Sequence, residues 1–207
     1  MPDSGKLLIV SAHDGALPYA DISERSWADY AERWDYGFEL HRFSTNRATH
    51  GHPSWQKLPL LRSLMSPRAA EWIMWVDADT VVTNYNVEIA CDPGAWLIVS
   101  RDWGADDGSP WSAGVMLWRP CPEALAFLDA ALARTEFRNQ PLWDQSALQA
   151  IKRPAGLLIL PRRILQSAVQ DGCPEPWQRG DFVAHVTGYE QRDKHAIMLA
   201  CERATLR

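Results

Sequence analysis

Cysteine is scarce in this 207-residue chain, and its four residues, Cys91, Cys121, Cys173 and Cys201, stand far apart. They form neither a C-x-x-C pair nor the dense spacing of a secreted disulfide scaffold, so a reducing compartment is expected. Long apolar runs are missing too. None reaches the ~18 residues of a membrane span, and Leu7–Val10 is too short for the apolar region of a signal peptide. The expectation is a cytoplasmic protein without an integral membrane segment. Positive charge is in deficit: 21 Lys and Arg face 26 Asp and Glu, for a formal charge of -5. That field repels a polyanion and argues against nucleic acid as the partner, while a small phosphorylated ligand stays possible beside a local cation.

What is present is the balance of a folded domain, with 46% hydrophobic and 23% charged residues. A chain of this length buries about 70% of the surface its unfolded form exposes, so it can fold without a structural metal. Any metal would then serve chemistry. No repeat, low-complexity tract or linker interrupts residues 1–207, which read as a single domain.

Apolar periodicity alternates between strand and helix. Leu7–Ala12, Phe38–Phe43, Trp72–Val76, Ala95–Ser100, Val115–Trp118, Leu157–Leu160 and Phe182–Val186 read as strands. Asp21–Tyr36, Ser54–Met65, Pro122–Arg134, Leu142–Ile151 and Glu190–Ala204 read as helices, with Ser54 as an N-cap and Gly37 as a stop. Thr45–Pro53 and Asp102–Trp111 read as loops. This alternation predicts a three-layer α/β/α architecture around a mostly parallel central sheet.

The chemistry concentrates where Trp72–Val76 ends in Asp77-Ala78-Asp79. Two carboxylates two residues apart can face the same side, with small Ala78 leaving room for a ligand. Oxygen ligands favour a hard divalent ion, Mn²⁺ or Mg²⁺. Roughly three acid-x-acid triplets are expected by chance at this acid content, so position decides: ligands of open α/β sheets bind beyond the carboxyl ends of strands. A diphosphate placed beside two carboxylates would be repelled by about 4 kcal/mol per unit pair at ~4 Å and an effective dielectric of ~20, and a divalent ion reverses that sign.

Trp55-Gln56-Lys57-Leu58-Pro59-Leu60-Leu61-Arg62 and Glu71–Asp79 resemble the central signature of glycosyltransferase family 34. Ser112–Leu117, Trp143–Leu148 and Gly180–Gly188 follow in the family's order. The resemblance implies a GT-A fold, a metal-dependent nucleotide-sugar donor, a carbohydrate or other hydroxyl acceptor, and transfer with retention at the anomeric carbon. By it, Asp77, Asp79 and His185 would hold Mn²⁺ (or Mg²⁺). Asp144 would hold sugar hydroxyls, and Gln145 would lie near the anomeric carbon. Lys57 would contact phosphate or nucleotide, and Ala12, His13 and Asp14 would cradle base and ribose. Gly114 and Gly188 would let backbone approach sugar and diphosphate. Ser112 stands where the family usually has Asn, and Arg162 or Arg163 where it usually has Gln.

Each role has a plainer counterpart. Lys57 can be a solvated helix lysine, Asp144 a helix cap, and His185 a structural histidine. Val76-Asp77-Ala78-Asp79-Thr80-Val81 also reads as the nucleophile strand of a haloacid-dehalogenase-like phosphatase. Eleven tryptophans allow a third reading, a carbohydrate-binding module in which Trp103, Trp111, Trp143 and Trp177 form a platform, while Trp72, Trp75 and Trp118 fill the core.

Overall fold

The computed structural model describes residues 7–65, 70–103 and 110–207. Along the chain run β1 (Leu7–His13), α1 (Ala20–Trp34), β2 (Gly37–Arg42), α2 (Arg47–His50), α3 (Pro53–Leu64), β3 (Trp72–Val76), β4 (Thr80–Val82), β5 (Leu97–Ser100) and β6 (Val115–Trp118). They are followed by α4 (Pro122–Leu132), a 3-10 turn (Thr135–Phe137), α5 (Trp143–Gln149), β7 (Leu157–Leu160), β8 (Ser167–Val169), β9 (Val183–Val186) and α6 (Gln191–Arg203).

The central sheet has the order β2-β1-β3-β6-β5-β7, and only β6 runs against the others. β1, β3, β5 and β6 are buried along their whole length because both faces are covered. Leu8, Val10, Ile73, Trp75, Val99 and Met116 pack against Trp55, Leu58 and Leu61 of α3, Phe127 and Leu128 of α4, and Leu148 of α5. Alternate residues Leu7, Ile9, Met74, Val76 and Leu117 face Trp27 and Tyr30 of α1 on the other side. Each fully buried aliphatic side chain contributes roughly 1.5–3 kcal/mol before entropy is counted.

The second face holds more than helices. A small sheet of order β4-β9-β8 packs between α1 and α6, where Ile22, Val81, Val186 and Met198 meet. β4 and β8 have three residues each and carry no alternation long enough to read from sequence; their register is set by pairing with β9.

Local corrections have local causes. α1 ends at Asp35, not Gly37: Asp35 takes the left-handed conformation (φ 54°), which a short polar side chain tolerates, and Gly37 opens β2. α3 is capped by His52, whose ring nitrogen accepts from Ser54 N–H, so Pro53 takes the first turn and Pro59 lies inside the helix. The expected loop 45–53 contains the single turn α2. Residues 104–109 of the expected 102–111 loop lie outside the described residues.

Candidate active site

At the carboxyl ends of β1 and β3 lies a cavity of about 500 Å³. It brings together Ala12, His13, Asp14, Lys57, Asp77, Ala78, Asp79, Gly114, Asp144, Gln145, His185 and Gly188, residues spread over most of the chain. Ser112 is not among them; it lines a neighbouring cavity, and its Oγ accepts from Gly114 N–H at 3.2 Å.

Asp77 and Asp79 sit on a tight turn between two sheets. Thr80 N–H and Thr80 Oγ both donate to Asp77 O, at 3.1 and 2.6 Å, and Trp27 Nε1 donates to Thr80 Oγ at 2.9 Å. The antiparallel register of β4 with β9 then places His185 opposite Thr80. His185 Nε2 lies 3.3 Å from Asp79 Oδ1, and one ligand atom from each of Asp77, Asp79 and His185 falls within 4.8 Å of the others. An octahedral ion at ~2.0–2.1 Å from each ligand needs neighbours about 2.9 Å apart and opposites about 4.1 Å apart, so small side-chain adjustments suffice. Two carboxylates and an imidazole suit a divalent metal ion.

Gly114 is required by this cluster. A Cβ there would lie 2.2 Å from His185 Cε1, so the imidazole, rather than a sugar, occupies the space the missing side chain leaves. Gly114 O also accepts from Asp77 N–H at 2.8 Å. At Gly188 a Cβ would meet the Gln170 amide at 2.6 Å, and φ is +77°, so conformation and space both favour glycine.

Lys57 is not a solvated lysine. It is 2% exposed, with Nζ 2.9 Å from Asp77 Oδ1, 2.8 Å from Asp144 Oδ2 and 2.9 Å from Ala113 O, above the Trp75 ring. Burial alone would lower its ammonium, but Asp144 and Asp77 outweigh burial and hold it protonated well above the usual lysine range. Trp75 Nε1 donates to the same Asp77 oxygen at 2.6 Å, so Oδ1 carries the structural bonds of this carboxylate. Asp144 is 4% exposed in the first turn of α5, and the cap position belongs to Leu142. Burial pushes its carboxyl up to about 6, against the pull of Lys57 and with the help of Asp77.

Gln145 is held at both ends: Oε1 accepts from Ala113 N–H at 2.8 Å and Nε2 donates to Asp102 Oδ2 at 3.0 Å. His13, 4% exposed, contacts Glu24 at 2.5 Å and accepts from Gly15 N–H at 3.0 Å, with Arg42 against the ring. Asp14 makes a turn with Ala16 N–H at the rim.

Two residues escaped sequence reasoning. Lys194 of α6 lines the cavity and reaches Asp79 Oδ2 at 2.6 Å; Tyr19, 5% exposed, lies under the same ammonium. Lys194 sits in a polar helix with other charged residues, and only packing of α6 against β4 and β9 singles it out. His185 and Lys194 outweigh burial at Asp79 and hold its carboxyl far below the usual range, while Asp79 raises His185 above its ordinary value.

The tryptophans divide differently from expectation. Trp72, Trp75 and Trp118 are core, but so is Trp111, 3% exposed. Trp177 donates to Thr83 Oγ at 3.0 Å and lines neither cavity, while Trp143 stacks on His52 at 3.7 Å along the wall of the first. The four do not form one platform, which disfavours the carbohydrate-binding module.

Residues 7–91 match the model of the galactosyl transferase GMA12/MNN10 family. An alpha-1,2-galactosyltransferase of Schizosaccharomyces pombe is 30% identical over 99 residues, 42% of this chain and 26% of that protein. The likeness to glycosyltransferase family 34 rests on this segment. A probable glycosyltransferase 7 of Oryza sativa subsp. indica is 32% identical over 88 residues, 37% of this chain and 19% of that protein. The matched segments thus span about a quarter or less of these relatives. In three dimensions the likeness runs further. A glycosyltransferase involved in glycosylation of the major capsid of PBCV-1 superposes with a TM-score of 0.75 at 17% identity, covering 94% of this chain and 99% of that one. The galactosyltransferase LgtC, solved with donor and acceptor sugar analogs, gives 0.58 at 12% identity, covering 97% and 96%. The fold of the chain is GT-A, and the phosphatase reading is not favoured. Among the described residues no helix is long and apolar enough to cross a membrane.

Proposed function

We propose that this chain is a metal-dependent retaining glycosyltransferase that moves a hexose or pentose from a UDP- or GDP-sugar to a hydroxyl acceptor. The observation that carries the reading is the convergence of Asp77, Asp79 and His185 in the same cavity as the Lys57–Asp144–Gln145 group. The names of the relatives support the donor class.

A bound Mn²⁺ or Mg²⁺, held by Asp77, Asp79 and His185, supplies the positive charge that lets a diphosphate lie beside two carboxylates. Lys194 adds a cation at the same wall: once Asp79 has another partner, its ammonium is available to a phosphate oxygen. Ala12, His13 and Asp14, which line the same cavity, receive the base and ribose. Asp144 and Gln145 hold the transferred sugar, and Lys57 keeps Asp144 in place. Because Gln145 Oε1 already accepts from Ala113 N–H, and an amide is a poor nucleophile, a covalent glycosyl-enzyme is disfavoured. The bond from C1 to the diphosphate oxygen breaks as the acceptor oxygen bonds C1 on the same face. The acceptor's proton passes to the departing diphosphate.

A melting series with UDP and GDP, each with Mn²⁺ or with chelator, tests the donor reading. Nucleotide at ~100 times its dissociation constant adds about 2.7 kcal/mol, or roughly 5–11 °C for a chain this size. A Mn²⁺-dependent rise with one nucleotide is expected, and it should vanish in Asp79→Asn; near-normal sugar transfer by that variant would sink the metal assignment. The anomeric configuration of the product, read by NMR, tests retention.

A further inference from the structure

A second cavity, of about 420 Å³, adjoins the first and shares Leu142, Gln145, His185, Thr187 and Gly188 with it. Gln166 lines this second cavity immediately before β8, the strand paired with the one that carries His185. The residue is 95% buried (5% exposed), and among the described residues neither its Oε1 nor its Nε2 has a hydrogen-bond partner. Buried amides are normally satisfied, and one left unpaired is a standing cost that an arriving polar group can remove. The amide presents donors and an acceptor together, the pattern a hydroxyl complements from either side.

The charges around it narrow the ligand. Arg162 pairs with Glu175 at 2.8 Å, Arg163 with Asp181 at 2.7 Å, and Arg101 is engaged as well. An anionic ligand would have to compete with carboxylates for Arg162 and Arg163. At the shared rim Leu142 is 49% exposed with φ +63°, a left-handed conformation that a leucine rarely adopts, and it offers an apolar edge for the face of a sugar ring.

We infer that Gln166 reads a hydroxyl of the acceptor, and that this acceptor is a neutral glycoside rather than an acidic one. The inference rests on the transferase reading of the first cavity and assigns the specificity of the second. Gln166 is a binding residue for the acceptor and takes no part in bond making.

The test uses the whole chain with Mn²⁺ and UDP-galactose or GDP-mannose, whichever nucleotide raises the melting temperature. Acceptors are the phenyl glucoside, galactoside, mannoside and xyloside, with the phenyl glucuronide as the acidic counterpart of the glucoside. At least one neutral glycoside should be used, and the glucuronide should have a kcat/KM about tenfold or more below that of the glucoside or the best neutral acceptor. Gln166→Met should raise the acceptor KM about tenfold while leaving the Mn²⁺-dependent melting shift unchanged. Gln166→Glu, which keeps the size and an acceptor oxygen, should lose less. Equal use of the glucuronide, an unchanged acceptor KM in Gln166→Met, or an equal loss of nucleotide binding in that variant overturns the inference. A normal nucleotide-dependent shift with no transfer to any neutral glycoside overturns it alone. If the wild-type chain shows no nucleotide-dependent shift, the transferase reading falls and takes this inference with it.

Discussion

Replacing Lys57 with Met removes one charge and little volume from the most densely paired point of the cavity. The wild-type ammonium, 2% exposed, lies within 2.9 Å of both Asp77 and Asp144. Without it two carboxylates face each other with no cation, and breaking a buried ion pair in this way costs about 3–5 kcal/mol. For a chain this size that is a fall in Tm of roughly 6–20 °C. The loss should depend on pH, with a sign that follows from Asp144. Its carboxyl titrates at about 6 in the folded protein, against about 3.9 when unfolded. Between these values the folded state binds more protons, so stability falls as pH rises, by up to about 1.4 kcal/mol per pH unit. Removing Lys57 raises the folded value further and extends that fall above pH 6. The Tm difference between wild type and Lys57→Met should therefore be smaller at pH 5 than at pH 8. A difference that is constant with pH, or a loss below about 1 kcal/mol, would refute the view that Lys57 is a buried strut between two carboxylates.

Gly114→Ala should abolish Mn²⁺-dependent nucleotide binding, because a methyl group 2.2 Å from His185 Cε1 must displace the ring; retention of binding in a melting assay would show that the ring is not a ligand. Gln145→Ala removes the link between Ala113 N–H and Asp102, and kcat should fall about tenfold, about 1.4 kcal/mol, with a smaller change in donor KM. A defect confined to donor KM would make Gln145 a simple binding residue. Metal affinity should rise with pH: Asp79 holds a proton on His185 above its ordinary value, and Nε2 must lose that proton before it can ligate. Equal Mn²⁺ affinity at pH 6 and pH 8 would contradict this.

Much of the scaffold was legible because long apolar strands buried on both faces leave unambiguous runs, as in Trp72–Val76 and Leu7–Val10. The short strands β4 and β8 were not, since three residues carry no period. Trp111 was misread for a related reason: its neighbours are polar and loop-like, yet the chain folds its indole into the core against the α3–α5 layer.

The sequence by itself determined the α/β class, the placing of Asp77 and Asp79 at a strand end, and the family likeness through Trp55–Arg62 and Glu71–Asp79, because these depend on local patterns of residue type. Only the tertiary structure decided what those residues do to one another. The β4–β9 register brings His185 to Asp79 from 106 positions away, α3 buries Lys57 between Asp77 and Asp144, and α6 delivers Lys194 to the same carboxylate. Gly114 acquired its meaning from a ring 71 residues later. Charge and hydrogen bonding act through space at about 3 Å, and no window along the chain contains the partners that space brings together.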